Sequence, residues 1–243
     1  MKKVLIACSL AVVSSFGAGL HAQSTFSGWV ANFNTIKLGK KTSLLNDIQV
    51  RSTDEIQHLQ TLLIRSGLQY SVTKKLGLTL GLASIDNRRS AGGVNGYLAE
   101  YRIWQQLIYN HKTGPVLVQH RLRNEQRFIP NAKVENGDLK RGGHENAYRL
   151  RYFIRNIIPL TDRTGPYTKG AFAALQNEVF INTGNKSAVN GKTFDQNRLY
   201  FAGGYRLNAK FDLEAGYMYQ YIAGRAGAST HNHIAQIATY LRL

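Results

Sequence analysis

From Leu76 to Leu82 the chain reads Leu-Gly-Leu-Thr-Leu-Gly-Leu. A period of two places every leucine on one face of a strand, whereas a helix would scatter them. The preceding segment keeps the same beat. Leu62, Ile64, Leu68, Tyr70 and Val72 share one parity, Arg65, Gly67, Gln69 and Ser71 the other, and Thr73-Lys74-Lys75 makes a short turn between the two segments.

The pattern recurs along the chain. Tyr101, Ile103, Leu107 and Tyr109 oppose Glu100, Arg102, Trp104 and Gln106. Val116, Val118, Leu122 and Phe128 oppose Gln119, Arg121, Arg123, Glu125 and Arg127. Tyr148, Leu150, Tyr152 and Ile154 oppose Arg149, Arg151 and Arg155, and Leu199, Phe201, Tyr205 and Leu207 oppose Gln196, Arg198 and Arg206. Phe211, Leu213, Ala215, Tyr217, Tyr219 and Tyr221 oppose Asp212, Glu214 and Gln220. With strands around Trp29, Ile48 and Leu175 and a last one from about His233 to Leu243, the count is about eleven, each roughly ten residues long, as a tilted bilayer-crossing strand requires. Short turns are expected near Lys74, Lys112, Asp162 and Ala209, and longer loops near Asn87, Asn136, Lys186 and Ala226. The fold expected is all-β, an antiparallel up-and-down transmembrane β-barrel of about 10–12 strands. An even number, ten or twelve, follows if both termini share one side.

The first residues bear on location. Met1-Lys2-Lys3, an apolar stretch from Val4 to Val13, and a small-residue exit ending Gly19-Leu20-His21-Ala22 make a secretory signal, with residues 1–22 removed and 23–243 forming a single domain. Leu5-Ile6-Ala7-Cys8 resembles a lipoprotein processing box, but the apolar stretch before Cys8 is too short for one. Cys8 is the only cysteine, so the mature protein would hold no disulfide and no cysteine-ligated metal. No later run approaches the roughly 18 apolar residues of a membrane-spanning helix, so a membrane form has to be a closed barrel. The formal net charge is +17, or +15 without Lys2 and Lys3. Export and the dispersal of the basic residues along strands argue against nucleic acid as their partner.

Alternation does not by itself say which face points inward, since a soluble barrel has the same period with its apolar face inside. Tyrosines near strand ends on the apolar parity, such as Tyr70, Tyr97, Tyr109 and Tyr217, fit two interfacial girdles, and the apolar face is therefore assigned to lipid. The polar parity then faces a lumen, where Glu100, Arg102, Gln106, Arg121, Arg123, Glu125, Arg127, Arg149, Arg151, Glu178 and Arg198 form the candidate network. Eleven arginines (Arg51, Arg65, Arg102, Arg121, Arg123, Arg127, Arg149, Arg151, Arg155, Arg198 and Arg206) stand there against six carboxylates (Asp47, Glu100, Glu125, Glu178, Asp212 and Glu214), an excess of five.

Several of these segments together resemble a known family. They are Trp29, Glu100-Tyr-Arg-Ile-Trp-Gln-Gln106, Gln119-His-Arg-Leu-Arg-Asn-Glu-Gln-Arg-Phe128, Arg149-Leu-Arg-Tyr152, Asn177-Glu-Val-Phe-Ile-Asn182, Asn197-Arg-Leu-Tyr200 and Glu214-Ala-Gly-Tyr-Met218. The chain resembles the domain of unknown function 2490 family of small outer-membrane proteins from Bacteroidota-type bacteria. The resemblance implies a barrel in the outer membrane and brings with it no substrate or catalytic residue. Leu243 departs from the Phe or Trp that outer-membrane barrels commonly place last.

Ser229-Thr230-His231-Asn232-His233 offers a serine near a histidine, and two histidines two apart share a strand face, but a loop-to-strand junction is polar in any case and no third metal ligand is identifiable. Glu100, Glu125 and Glu178 invite a paired-carboxylate hydrolase, yet each shares a face with Arg or Gln, which favours ion pairs filling the interior. No catalytic residue, metal or cofactor is assigned. The first function expected is a structural or binding barrel, the second a narrow pore for small anions, and the third a membrane-embedded hydrolase. The partners expected are outer-membrane lipid, the barrel-insertion machinery and a small anionic ligand or ion.

Overall fold

The computed structural model describes residues 22–161 and 165–243. The expected signal segment, apart from Ala22, lies outside the described residues, and Cys8 lies there with it. Among the described residues eleven strands close into a barrel in chain order. They are β1 (Ala22–Lys37), β2 (Thr42–Thr53), β3 (His58–Ser71), β4 (Leu76–Ala91), β5 (Val94–Thr113), β6 (Val116–Glu135), β7 (Asp138–Pro159), β8 (Gly170–Thr183), β9 (Phe194–Asn208), β10 (Phe211–Ala223) and β11 (Ser229–Arg242).

Ten of the eleven neighbour pairs are antiparallel. The closing pair is parallel, with β1 running beside β11 from Ala22 opposite Ser229 to Thr35 opposite Arg242. The number falls within the 10–12 expected, but the inference to an even count fails. With an odd count, Ala22 stands at one rim, here the N rim, and Leu243 at the other, the C rim. The seam is anchored at the C rim, where Lys37 N donates to Leu243 O (2.8 Å) and Leu243 N donates to Thr35 O (2.8 Å).

The connections also differ from expectation. In place of long loops near Asn87 and Asn136, β4 and β5 join through Gly92-Gly93 (φ +54° and +78°), and β6 and β7 through Asn136-Gly137 (φ +54° and +81°). Left-handed backbone at both central residues is the tight hairpin turn whose twist matches its strands, and Gly-Gly and Asn-Gly are the dipeptides that adopt it. What projects past the N rim is therefore paired strand, which is why β5, β6 and β7 reach 20, 20 and 22 residues. The expected short turn near Asp162 is instead the connection 160–169, with Asp162 itself outside the described residues. It tucks Tyr167 against Phe172, and the Tyr167 hydroxyl donates to Gly170 O at 2.7 Å.

The two parities separate cleanly. On β4, Leu78, Leu80 and Leu82 are 47%, 60% and 65% exposed on the outer surface, while Thr79 between them is buried inside. The alternative with the apolar face inside is thereby overturned. Ile64, Leu68, Tyr101, Tyr152, Phe201 and Ile237 continue the same exposed belt on other strands.

Inside, the glycines of the leucine run have a purpose. Gly67 and Gly81 pair across β3 and β4, and Gly81 pairs with Trp104 on β5. The Trp104 indole lies against both glycines, packed with Leu63, Ala83 and Ile85. Trp29, the other tryptophan, also points inward and packs with Tyr200, Met218 and Ile234.

Candidate functional site

The side chains on the inner parity of β5 through β9 meet in a continuous ion-pair network. Glu125 on β6 is paired in register with Trp104 on one side and Arg149 on the other, which brings it between three guanidinium groups. Arg149 donates to Oε2 from Nε (3.0 Å) and Nη2 (2.7 Å), Arg151 Nη1 to Oε1 (2.6 Å), and Arg102 Nη1 to Oε2 (3.4 Å). Arg102 Nε also reaches Glu100 (2.6 Å), which Arg127 grips through Nε (2.8 Å) and Nη2 (3.2 Å). Arg151 reaches onward to Glu178 (Nη2, 2.8 Å), which Arg121 shares at 2.6 Å. Glu100, Glu125 and Glu178 are almost fully buried. A buried carboxylate is tolerated when charge-assisted bonds replace its water, and each of these has at least two arginines doing so.

Eight of the eleven candidate lumen residues thus belong to one network. The other three stand apart. Arg123 pairs only with Gln106 (Nε 2.9 Å, Nη2 2.5 Å), and Arg198 Nε donates to Gln196 at 3.3 Å.

Two residues of the lumen ion pairs escape the sequence pattern. Asp195, which accepts from Arg149 Nη1 at 3.0 Å, has the wrong parity for an inward residue. A register shift between Phe180 and Ile181 leaves Asp195 without a partner across β8, so Asp195 and Gln196 both turn inward. Arg242 pairs with Asp212, which it shares with Arg206. One more arginine and one more carboxylate leave the excess of five unchanged. Elsewhere Arg65 pairs with Asp47 and Arg155 with Glu214.

A cavity of about 1210 Å³ runs along the lumen. At the C rim it is lined by Lys75, Lys112 and Arg242, and at the N rim by Gln60, Asn87 and Arg89. Arg51, Arg123 and Arg198 line it between those ends.

On the outer surface Ser229 Oγ lies 3.4 Å from His231 Nε2, and His231 Nδ1 lies 2.5 Å from the Tyr219 hydroxyl. Tyr217 and His233 repeat that contact at 2.6 Å, and His120 and Tyr152 make another at 2.8 Å on the opposite wall. Among the described residues no three metal-ligating side chains gather.

A closed barrel with an apolar exterior and a charged, cavity-bearing lumen defines the class. Residues 26–232 match the family described as protein of unknown function (DUF2490), and the chain belongs to that family. No curated protein matches it. Among solved structures, that of the NanC porin in a rhombohedral crystal form is similar, at 12% sequence identity and a TM-score of 0.47, covering 89% of this chain and 98% of that one.

Proposed function

We propose that the chain is exported by a signal peptide spanning residues 1–22, that residues 23–243 form a barrel in the bacterial outer membrane, and that its basic lumen is a narrow passage for small anions. The exposed belt through Leu78, Leu80 and Leu82 supports the membrane, because an apolar band around a whole barrel is otherwise an aggregation hazard. The observation that carries the passage is the cavity lined at both rims. Spread over a hydrocarbon core of roughly 30 Å, its volume corresponds to a mean section of about 40 Å², one small solute wide. Five uncompensated positive charges in a low-dielectric tube raise the local concentration of anions.

Recordings in planar bilayers under a potassium chloride gradient test this. The expected result is a small current with a reversal potential of anion-selective sign. A cation-selective current overturns the proposal, and the absence of current leaves the closed, ligand-holding barrel in its place. Fractionation of the native protein with outer membrane tests the location.

A second reading rests on the outward Ser229–His231–Tyr219 contact, which has the order of nucleophile, base and orienting group needed for ester hydrolysis at the lipid surface. It ranks second because the orienting group is a neutral phenol, which does not stabilise an imidazolium as a carboxylate would, and because the same Tyr–His contact recurs where no serine is present. Phospholipid hydrolysis lost in Ser229→Ala would establish it.

A further inference from the structure

Nine arginines of the barrel interior lie within ion-pair distance of a carboxylate. Arg51, Arg123 and Arg198 do not, and all three are built alike. A glutamine holds each one, and an aromatic ring lies beneath it. Gln49 accepts from Arg51 Nε (3.2 Å) and Nη2 (2.6 Å). Gln106 takes the same two donors of Arg123. Gln196 takes Arg198 Nε, and Gln220, turned so that its oxygen faces the guanidinium, lies 3.2 Å from Nε and Nη2. Arg123 lies over Trp104 at 4.6 Å, Arg51 over Trp29 at 4.0 Å, and Arg198 over Trp29 at 5.1 Å and Phe180 at 4.8 Å.

A glutamine fixes the plane of a guanidinium without cancelling its charge, and a stacked ring fixes it from below. In each case the Nε–Nη2 edge is occupied and Nη1 is left over. For Arg123 that Nη1 is buried with no partner at all. Elsewhere the chain supplies a carboxylate for such a group; here it supplies only orientation.

Two of these groups meet at one ring. Measured to Trp29, the guanidinium carbons of Arg51 and Arg198 are no more than about 9 Å apart. An oxyanion held by a guanidinium sits with its central atom about 4 Å from the guanidinium carbon, so two arginines that share one oxyanion stand at most about 8 Å apart, a range the shared ring allows. Arg51, Arg198, Trp29 and the glutamines Gln49, Gln196 and Gln220 all line the cavity, in its N-rim half.

We infer that Arg51 and Arg198, both against Trp29, form a binding station for a single oxyanion, the carboxylate, sulfate or phosphate group of a small solute. The inference rests on the reading of the lumen as accessible to anions, and goes beyond it. A diffuse positive field draws any anion, chloride included, whereas two planar guanidinium groups sharing one ligand select for an oxyanion with several acceptor oxygens.

Trp29 is the reporter. With W104F as the background it is the only indole in the chain, and the full-length barrel in detergent micelles is titrated with sodium sulfate and, at matched ionic strength, with sodium chloride. The expected result is a saturable change in Trp29 fluorescence with sulfate alone, its dissociation constant raised at least tenfold by R51Q/R198Q. These substitutions remove two like charges that share one ring and break no ion pair. If W104F does not fold, the parent chain minus W29F isolates the same indole by difference. No saturable change, an equal response to chloride, or a response that survives R51Q/R198Q would overturn the station. The titration does not depend on conduction. A silent bilayer with an intact sulfate response refutes the passage alone, and a chloride current with no sulfate response refutes the station alone.

Discussion

Gly81 lies directly beneath the indole of Trp104, so close that a Cβ at that position would stand 2.3 Å from Trp104 Cζ2 and 2.4 Å from the carbonyl oxygen of Ser66. The backbone oxygen has no freedom to withdraw, and the indole is walled in by Leu63 and Ile85. Gly81→Ala is therefore expected to cost roughly 1–3 kcal/mol or more through overpacking. Gly203→Ala, where nothing lies within 4 Å of the added methyl, should cost less than about 1 kcal/mol. Urea unfolding from detergent or lipid, followed by tryptophan fluorescence, compares the two, and equal costs would contradict the packing described.

The outward belt makes a second prediction. Leu80 is 60% exposed and meets hydrocarbon if the barrel spans the membrane as proposed, so Leu80→Arg should lower folding stability in lipid vesicles by about 2–4 kcal/mol near the midplane. Gln69, on the neighbouring strand but lining the cavity, can take an arginine into water-accessible space, and Gln69→Arg should cost distinctly less. The reverse ranking would mean that the faces are exchanged.

Glu125 holds the network together, since Arg102, Arg149 and Arg151 all converge on it. Its neutral replacement, Glu125→Gln, removes one negative charge from among three buried guanidinium groups and leaves each with a single carboxylate, Arg102 with Glu100, Arg149 with Asp195 and Arg151 with Glu178. A loss of about 3–5 kcal/mol is expected, the cost of breaking a buried pair from one side. Asp54→Asn, at an ion pair half open to solvent beside His58 and Arg88, should change stability by less than about 1 kcal/mol. Thermal shifts of the folded band on cold-loaded gels would rank them.

The parallel seam is tested by cross-linking. Val30 and Ile237 are register partners on the outer face, and a Cys8→Ser chain carrying Val30→Cys and Ile237→Cys should form a disulfide under mild oxidation. Val30→Cys with Leu241→Cys, displaced four residues along β11, should not. Mass spectrometry of the oxidised protein separates the outcomes, and a bridge only in the second pair would require a different closing register.

Much of this was legible in the sequence because a strand's two faces are written in alternate residues. The parity rule places every one of the eleven arginines and six carboxylates named from it inside the barrel. It misses Asp195 for a physical reason: a bulge shifts the parity by one, and nothing in Phe194-Asp195-Gln196 announces where β8 loses register. Arg242 was missed because a strand's last residues carry too little pattern to assign a face. Asn136-Gly137 and Gly92-Gly93 could have been read as tight hairpins, but polar residues on the flanking strands, such as Asn87, Arg88 and Lys140, look like loop when their strands rise beyond the apolar belt. Which arginines lack a carboxylate is a property of side-chain reach across the lumen, and no linear pattern encodes it.

The closure has a kinetic consequence. Ten of the eleven seams join strands adjacent in the chain, and a hairpin can form as soon as its turn does. The last seam joins residues as far apart as Thr25 and Asn232, hydrogen-bonded across 207 positions. It has no turn to nucleate it, and its loop-closure entropy must be met before any of its bonds form. Until the ends meet, the molecule is a curled ribbon with two raw edges, each able to recruit a foreign strand. The step that makes the barrel is thus also the slowest and the most exposed, and whatever shields β1 and β11 during that interval governs how much of the chain matures.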